Sequence, residues 1–261
     1  MINDVRLTDS INFIKTITDK ANKDLVLGLS GGIDSAVALE LTIKAIGPNR
    51  IRVIMLPYNE NQNLEDAKYL ATDRGIKFEV ISIKDIVDAF NCEDNYRKAN
   101  IMARVRMTIL YERAMHYNSL VLGTTNLSEY YLGYFTKWGD GAVDLEPLMN
   151  MTKTKIFEAA KLLQIPDVFI TKRPSADLWE GQTDEDEMGL TYAEVDKIID
   201  KYYEQFNSIN YIDSFSDYLQ LEIERTSPFY DIRYNALVVL KKRYDSSQHK
   251  LSPIPQTAIR L

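Results

Sequence analysis

Four short aliphatic segments, residues 25–29, 51–56, 78–83 and 120–123, constrain this chain more than any other feature. Each is bounded by polar or turn residues and is too short to be a buried helix. Between them lie stretches with helical patterning, residues 35–46 and 63–74 and a longer one over 94–117. A strand that is apolar on both sides must be covered on both sides. The alternation therefore predicts an α/β fold, a Rossmann-like parallel sheet with helices on both faces.

After residue 123 the character changes. Gly, Tyr, Trp and Asp mix through 128–150, and helical patterning dominates the C-terminal portion. Thr191 and Glu194 form a capping box ahead of Val195, Ile198, Ile199, Tyr202 and Phe206, which share one helical face. That stripe reads as core or subunit-interface packing. No repeat and no low-complexity linker divides the chain, so residues 1–261 are expected to form a single domain.

The bulk composition excludes several classes. Of the 261 residues, 45% are hydrophobic and 26% charged, as in an ordinary globular protein. The net charge of −7 argues against a nucleic-acid partner. No apolar run approaches the roughly 18 residues of a membrane span, and MINDVRLTDS lacks the basic-then-apolar pattern of a signal peptide. The single cysteine, Cys92, forms no intrachain disulfide, and a cytoplasmic location is expected.

The first apolar segment runs into a glycine turn and then a helix: LVLGLSGGIDSA, residues 25–36. Such a junction points backbone N–H groups and the helix dipole at an anion. A Walker A loop needs a Gly-Lys-Ser/Thr ending, which is absent. Gly28, Gly31 and Gly32 also miss the G-x-G-x-x-G spacing of a dinucleotide fingerprint. In Ser-Gly-Gly-x-Asp-Ser the serines offer hydroxyls to phosphate oxygens, while Asp34 repels a bare phosphate. A magnesium ion between Asp34 and the phosphates resolves that conflict. The plainer alternative makes Asp34 a helix cap.

Ser30-Gly31-Gly32-Ile33-Asp34-Ser35 resembles the pyrophosphate loop of the ATP pyrophosphatases, which cleave ATP between its α and β phosphates. The motifs NIMARVRM (100–107), GTTNLSE (123–129), GYFTKWGDGAVDLEPL (133–148), KRPSADL (172–178), QTDEDEMG (182–189) and HK (249–250) resemble those of NAD synthetases, in family order. The resemblance implies ATP-dependent amidation of deamido-NAD by ammonia through an adenylated intermediate, releasing AMP and pyrophosphate. It also implies a homodimer acting on small molecules.

Residue by residue, the resemblance assigns Gly28, Leu29, Ser30, Gly31, Gly32, Ile33, Asp34, Ser35, Thr124, Lys153 and Ser175 to ATP. Magnesium falls to Asp34 and Glu129. Deamido-NAD falls to Arg104, Lys137, Asp144, His249 and Lys250. Asp140 and Lys153 are the catalytic candidates, Asp140 orienting ammonium or taking its proton and Lys153 stabilising charge on the phosphates. The residues alone allow duller readings. Arg104 neighbours Ile101 and Thr108 on a helix, beside an apolar stripe, so water is hard to reach and snorkelling is the alternative. Arg106 is as awkwardly placed, and spacing does not separate the two. Lys153 in a first helical turn opposes the dipole. Glu129 by itself is a solvated carboxylate, and QTDEDEMG by composition is a mobile acidic loop. His116 and Cys92 carry no motif and read as structural. A tRNA-thiolating enzyme would need a basic surface or reactive cysteines, and a nucleotide sensor would be expected to lose the metal carboxylates.

Overall fold

The computed structural model describes residues 4–174, 183–206, 214–226 and 232–251. They fall into two compact units, Met1–Leu127 with Phe135–Asp184, and Ser128–Tyr134 with Glu185–Leu261.

The first unit runs α1 (Val5–Ala21), β1 (Asp24–Gly28), α2 (Ile33–Ile46), β2 (Ile51–Met55), α3 (Gln62–Asp73), β3 (Phe78–Val80), α4 (Lys84–Asp88), α5 (Asn95–His116) and β4 (Ser119–Leu122). Helix α6 (Leu127–Leu132) leads into the second unit, and α7 (Lys153–Leu162) and α8 (Asp167–Ile170) complete the first. The strands form one parallel sheet in the order β3-β2-β1-β4. Leu25 of β1 sits opposite Ile51 of β2 and Leu120 of β4, so β1 is central on both sides.

Alternation along β1 explains the two helical layers. Leu25 and Leu27 point into a core with α1, α2, α3 and α7, where Leu7, Ile14, Val37, Leu41, Leu70 and Ile156 are buried. Val26 points the other way, with Ile54, Val121 and Met102 and Val105 of α5. Each fully buried Leu or Val side chain contributes about 1.5–3 kcal/mol relative to exposure. The third segment departs from expectation. Strand β3 keeps only three residues and exposes Phe78 and Val80, because it lies at the sheet edge. Beyond β4 the edge is extended by residues 144–145: Leu122 bridges Leu145, and Gly123 donates its N–H to the Leu145 carbonyl at 2.8 Å.

The second unit holds α10 (Tyr192–Phe206), α11 (Phe215–Arg225) and α12 (Ile232–Leu251), with α9 (Asp184–Met188) at its entry. The Thr191 capping box forms: Glu194 accepts the Thr191 N–H at 2.9 Å, and Thr191 Oγ accepts the Glu194 N–H at 3.3 Å. Val195, Ile198, Ile199 and Tyr202 are buried, so that stripe is core packing; the Phe206 side chain lies outside the described residues. Tyr131 and Phe215 pack with ring centroids 4.2 Å apart. The acidic run is not a solvated loop from residue 184 onward. It forms α9, with Asp184 and Met188 buried, Glu187 accepting from Tyr134, and Arg243 donating to the carbonyls of Glu187 and Met188. Local charge suggested solvation, but Tyr134 and Arg243, both distant in sequence, hold the segment through hydrogen bonds to the Glu187 carboxylate and to two backbone carbonyls. Among the described residues, no helix is long and apolar enough to cross a membrane.

Candidate functional site

Strand β1 ends at Gly28, and Leu29 still donates its N–H to the Ile54 carbonyl at 3.1 Å. The chain then turns through Ser30–Gly32 into α2. Two serines brace this turn from within. Ser35 Oγ accepts the Ser30 N–H at 3.3 Å and donates to the Gly32 carbonyl at 3.0 Å, while Ser30 Oγ accepts the Gly32 N–H at 3.2 Å. Gly31 has φ +83°, and a Cβ there would lie 2.1 Å from the Asn63 carbonyl oxygen, so both backbone and space demand glycine.

Asp34 is not a helix cap. Gly32 is the N-cap of α2 and makes no side-chain capping bond. The carboxylate instead faces two other elements: Oδ1 accepts from Asn126 Nδ2 at 2.9 Å, and Oδ2 takes Lys153 Nζ at 2.6 Å. Lys153 opens α7, the unfavourable end of the dipole for a cation, and is only 2% exposed. A cation in that position requires its carboxylate partner.

The loop after β4 emerges at the same carboxyl end of the sheet, where β1 and β4 flank the point at which strand order reverses. Thr124 is half-buried there, and Asn126 is fully buried. Glu146 holds the loop from behind, accepting the Thr125 N–H at 3.0 Å; a Cβ on Gly123 would meet its carboxylate at 2.4 Å. Asp144 has a backbone role. Its Oδ2 accepts the Val121 N–H at 2.8 Å, standing in for a strand carbonyl at the sheet edge. Tyr111, 3.5 Å from Asp144, has its hydroxyl pushed up to about 12 by burial and by that carboxylate.

The two arginines of α5 separate. Arg104 is exposed, contrary to the reading from spacing, and its Nε and Nη2 donate to the Lys137 carbonyl at 3.3 Å. The buried face of α5 is centred on Met102 and Val105, so Arg104 turns away from it. Arg106 is half-buried and donates Nε to the Leu56 carbonyl at 3.0 Å, just past the end of β2. Lys137 and Asp140 lie in a tight turn, where Asp140 Oδ1 accepts the Thr136 N–H at 2.8 Å and Trp138 is 49% exposed at φ +60°. A non-glycine residue at positive φ is strained, and such positions concentrate at ligand sites.

Glu129, His249 and Lys250 belong to the second unit. Glu129 lies on α6 and accepts the Tyr134 N–H through its backbone carbonyl at 2.8 Å. Lys250 donates to the Gly133 carbonyl at 2.8 Å, and His249 Nδ1 lies 3.0 Å from the Ser246 carbonyl. Ser175 lies outside the described residues. Cys92 is a free thiol donating weakly to the Asp94 carbonyl at 3.6 Å, and His116 sits at the last turn of α5 against Tyr117.

Reading motifs one position at a time missed Asn126, Glu146 and Lys172. Asn126 stands within GTTNLSE, and that motif was the available signal. Among the described residues, no group of three or more His, Cys, Asp or Glu could hold a metal ion alone. Asp34 still fits magnesium. Each oxygen spends one acceptor site on Asn126 or Lys153, and a carboxylate has about four such sites. Magnesium commonly uses one or two carboxylates plus substrate phosphates.

Fold and loop together define the doubly wound α/β class, whose ligands lie beyond the carboxyl ends of the strands. Within that class the chain belongs to the NAD synthase family, whose model matches residues 6–235. It is 46% identical over 198 residues to the NH(3)-dependent NAD(+) synthetase of Pyrococcus furiosus, covering 74% of this chain and 76% of that protein. Among solved structures, an NMN synthetase from Francisella tularensis superimposes with TM-score 0.80 at 34% identity, covering 97% of this chain and 98% of that one. The NH3-dependent NAD synthetase of Campylobacter jejuni matches with TM-score 0.75 at 27% identity, covering 97% of each chain.

Proposed function

We propose that this chain is an ammonia-dependent NAD synthetase, a ligase that amidates deamido-NAD at the expense of ATP. The observation that carries the reading is the cluster of Asp34, Asn126 and Lys153 at the carboxyl end of the central strand, in a chain with close NAD synthetase relatives. The nicotinate carboxylate oxygen attacks the α-phosphorus, the bond to the β-phosphate breaks, and pyrophosphate leaves with the electron pair. Ammonia then adds its lone pair to the acyl carbon, the C–O bond to AMP breaks, and the nitrogen loses a proton.

The assigned residues divide this work. The N–H groups of the Gly28–Ser35 loop and the start of α2 receive the phosphates, with Thr124 and Ser175 as further ATP contacts. Lys153 offsets charge growing on the leaving group. Asp34 and Glu129 are the carboxylates for magnesium, which when bound neutralises phosphate charge. Arg104, Lys137, Asp144, His249 and Lys250 grip deamido-NAD, and Asp140 orients ammonium or accepts its proton. The family match spans both compact units, which supports treating residues 1–261 as one synthetase domain. The assembly is a cytoplasmic homodimer in this reading.

A second reading shortens the acceptor. The similarity to an NMN synthetase favours nicotinate mononucleotide as the carboxylate substrate, with the same chemistry. One incubation decides between them: ATP, magnesium, ammonium and either acceptor, with products identified by mass spectrometry. NAD with AMP and pyrophosphate supports the first reading. Faster formation of NMN from the mononucleotide supports the second, and stoichiometric ADP with orthophosphate overturns both.

A further inference from the structure

Behind the Ser-Gly-Gly turn, three oxygen acceptors from two elements converge on one ammonium. Lys172, just after α8, donates Nζ to the Gly31 carbonyl at 3.3 Å and to Asn63 Oδ1 at 2.6 Å. It also pairs with the buried carboxylate of Asp66 on α3. Two of the ammonium's three N–H donors go to the Gly31 and Asn63 oxygens, and the contact with Asp66 Oδ2 is an ion pair rather than a hydrogen bond. The contact spans 141 residues of sequence to Gly31 and 109 to Asn63. Burial works to raise the Asp66 carboxyl, and Lys172 and Gln62 override it, so Asp66 stays below its ordinary range.

We propose that Lys172 is a positioning residue for the pyrophosphate loop. It fixes the Gly31 carbonyl and cancels the Asp66 charge behind the loop, so that the open side stays favourable to an anion. Two physical effects follow from one side chain. The Gly31 peptide is held against the α3 terminus, where Asn63 already occupies the space a Cβ would need. The carboxylate and two further oxygens behind the turn would otherwise repel phosphate through a low-dielectric layer. The inference rests on the reading of the loop as a pyrophosphate site.

The test is calorimetric titration of inorganic pyrophosphate, ATP and deamido-NAD, each with magnesium, into wild type, Lys172→Met and Lys172→Arg. Loss of charge-assisted hydrogen bonds predicts that Lys172→Met weakens pyrophosphate and ATP binding by roughly tenfold or more. Deamido-NAD affinity should hold, Lys172→Arg should recover most of the loss, and loop amides should exchange hydrogen faster in Lys172→Met without ligand. Unchanged pyrophosphate affinity in Lys172→Met overturns the proposal, as does an equal loss for all three ligands with a lowered melting temperature. If Lys172→Met does not fold, Asn63→Ala removes one acceptor and leaves the Asp66 pair intact. A smaller loss with the same selectivity supports the role, and no loss overturns it. A wild type that binds no pyrophosphate refutes the loop reading itself, and this inference with it.

Discussion

Lys153 and Asp34, 119 positions apart, form an ion pair of 2.6 Å in which the lysine side chain is 3% exposed and the carboxylate 17%. Removing one partner leaves a buried charge uncompensated, at a cost of about 3–5 kcal/mol. Asp34→Asn should therefore lose both adenylation and stability. The double variant Asp34→Asn/Lys153→Met should regain much of the stability and none of the activity. Chemical denaturation of the single and double variants measures this. A single Asp34→Asn that unfolds like wild type would show that the pair does not govern stability.

Asn126 holds the other oxygen of the same carboxylate. Asn126→Leu keeps the volume and removes the donor, leaving Oδ1 of the partly buried Asp34 without that hydrogen bond, a loss on the order of 1 kcal/mol. The expected signature is a lower kcat with little change in the Michaelis constant for deamido-NAD. An unchanged kcat would confine Asn126 to packing.

Arg104 and Arg106 should fail differently. Arg104→Ala removes an exposed side chain, so the fold should hold while the Michaelis constant for deamido-NAD rises far more than that for ATP. Arg106→Ala orphans the Leu56 carbonyl and should cost about 1–3 kcal/mol of stability without that selectivity. Steady-state kinetics on both variants would expose an exchanged assignment.

Acid should loosen this fold through specific carboxylates. Asp66, Asp4 and Glu194 are all held below their ordinary values, Asp66 chiefly by Lys172 and Gln62 against burial, Asp4 by Arg6 and Glu194 by Thr191. A group depressed in the folded state adds stability above its unfolded value, 3.8 for Asp66, and loses it as pH falls through the folded value. Denaturation curves across that range should show a shallower acid dependence in Asp66→Asn than in wild type. Parallel acid limbs would remove Asp66 from the account.

The nitrogen donor is testable by pH. Ammonium has no lone pair, so the apparent Michaelis constant for total ammonium should fall as pH rises. Glutamine requires a cysteine nucleophile activated by a base, and Cys92 in NCEDN has acidic neighbours. Efficient turnover of glutamine by the purified chain in ammonia-scrubbed buffer would sink this prediction.

Much of this protein was legible in one dimension because its decisive features are local. Aliphatic runs of strand length, broken by helical patterning, specify a parallel sheet through burial alone, and β1, β2 and β4 lie within a residue or so of where patterning placed them. The SGGIDS turn was legible as a glycine turn into a helix because glycine freedom and a following helix are properties of adjacent residues, and the chain does turn there through Gly31 at φ +83° into α2. Family motifs supplied the chemistry. Local pattern misjudged β3, which the sheet edge shortened and exposed, and Arg104, whose helix buries a different face.

What only the tertiary structure decided are contacts between residues more than 90 positions apart. Nothing in the sequence near Asp34 says that its two oxygens meet Asn126 and Lys153, or near Gly31 that Lys172 reaches its carbonyl. Outside α5, patterning reports which side of an element faces the core, since that follows from the 3.6- and 2-residue periods. It cannot report which polar atoms then share a buried volume. That is settled when the sheet closes, because each desolvated charge must find its partner there or cost the fold several kcal/mol.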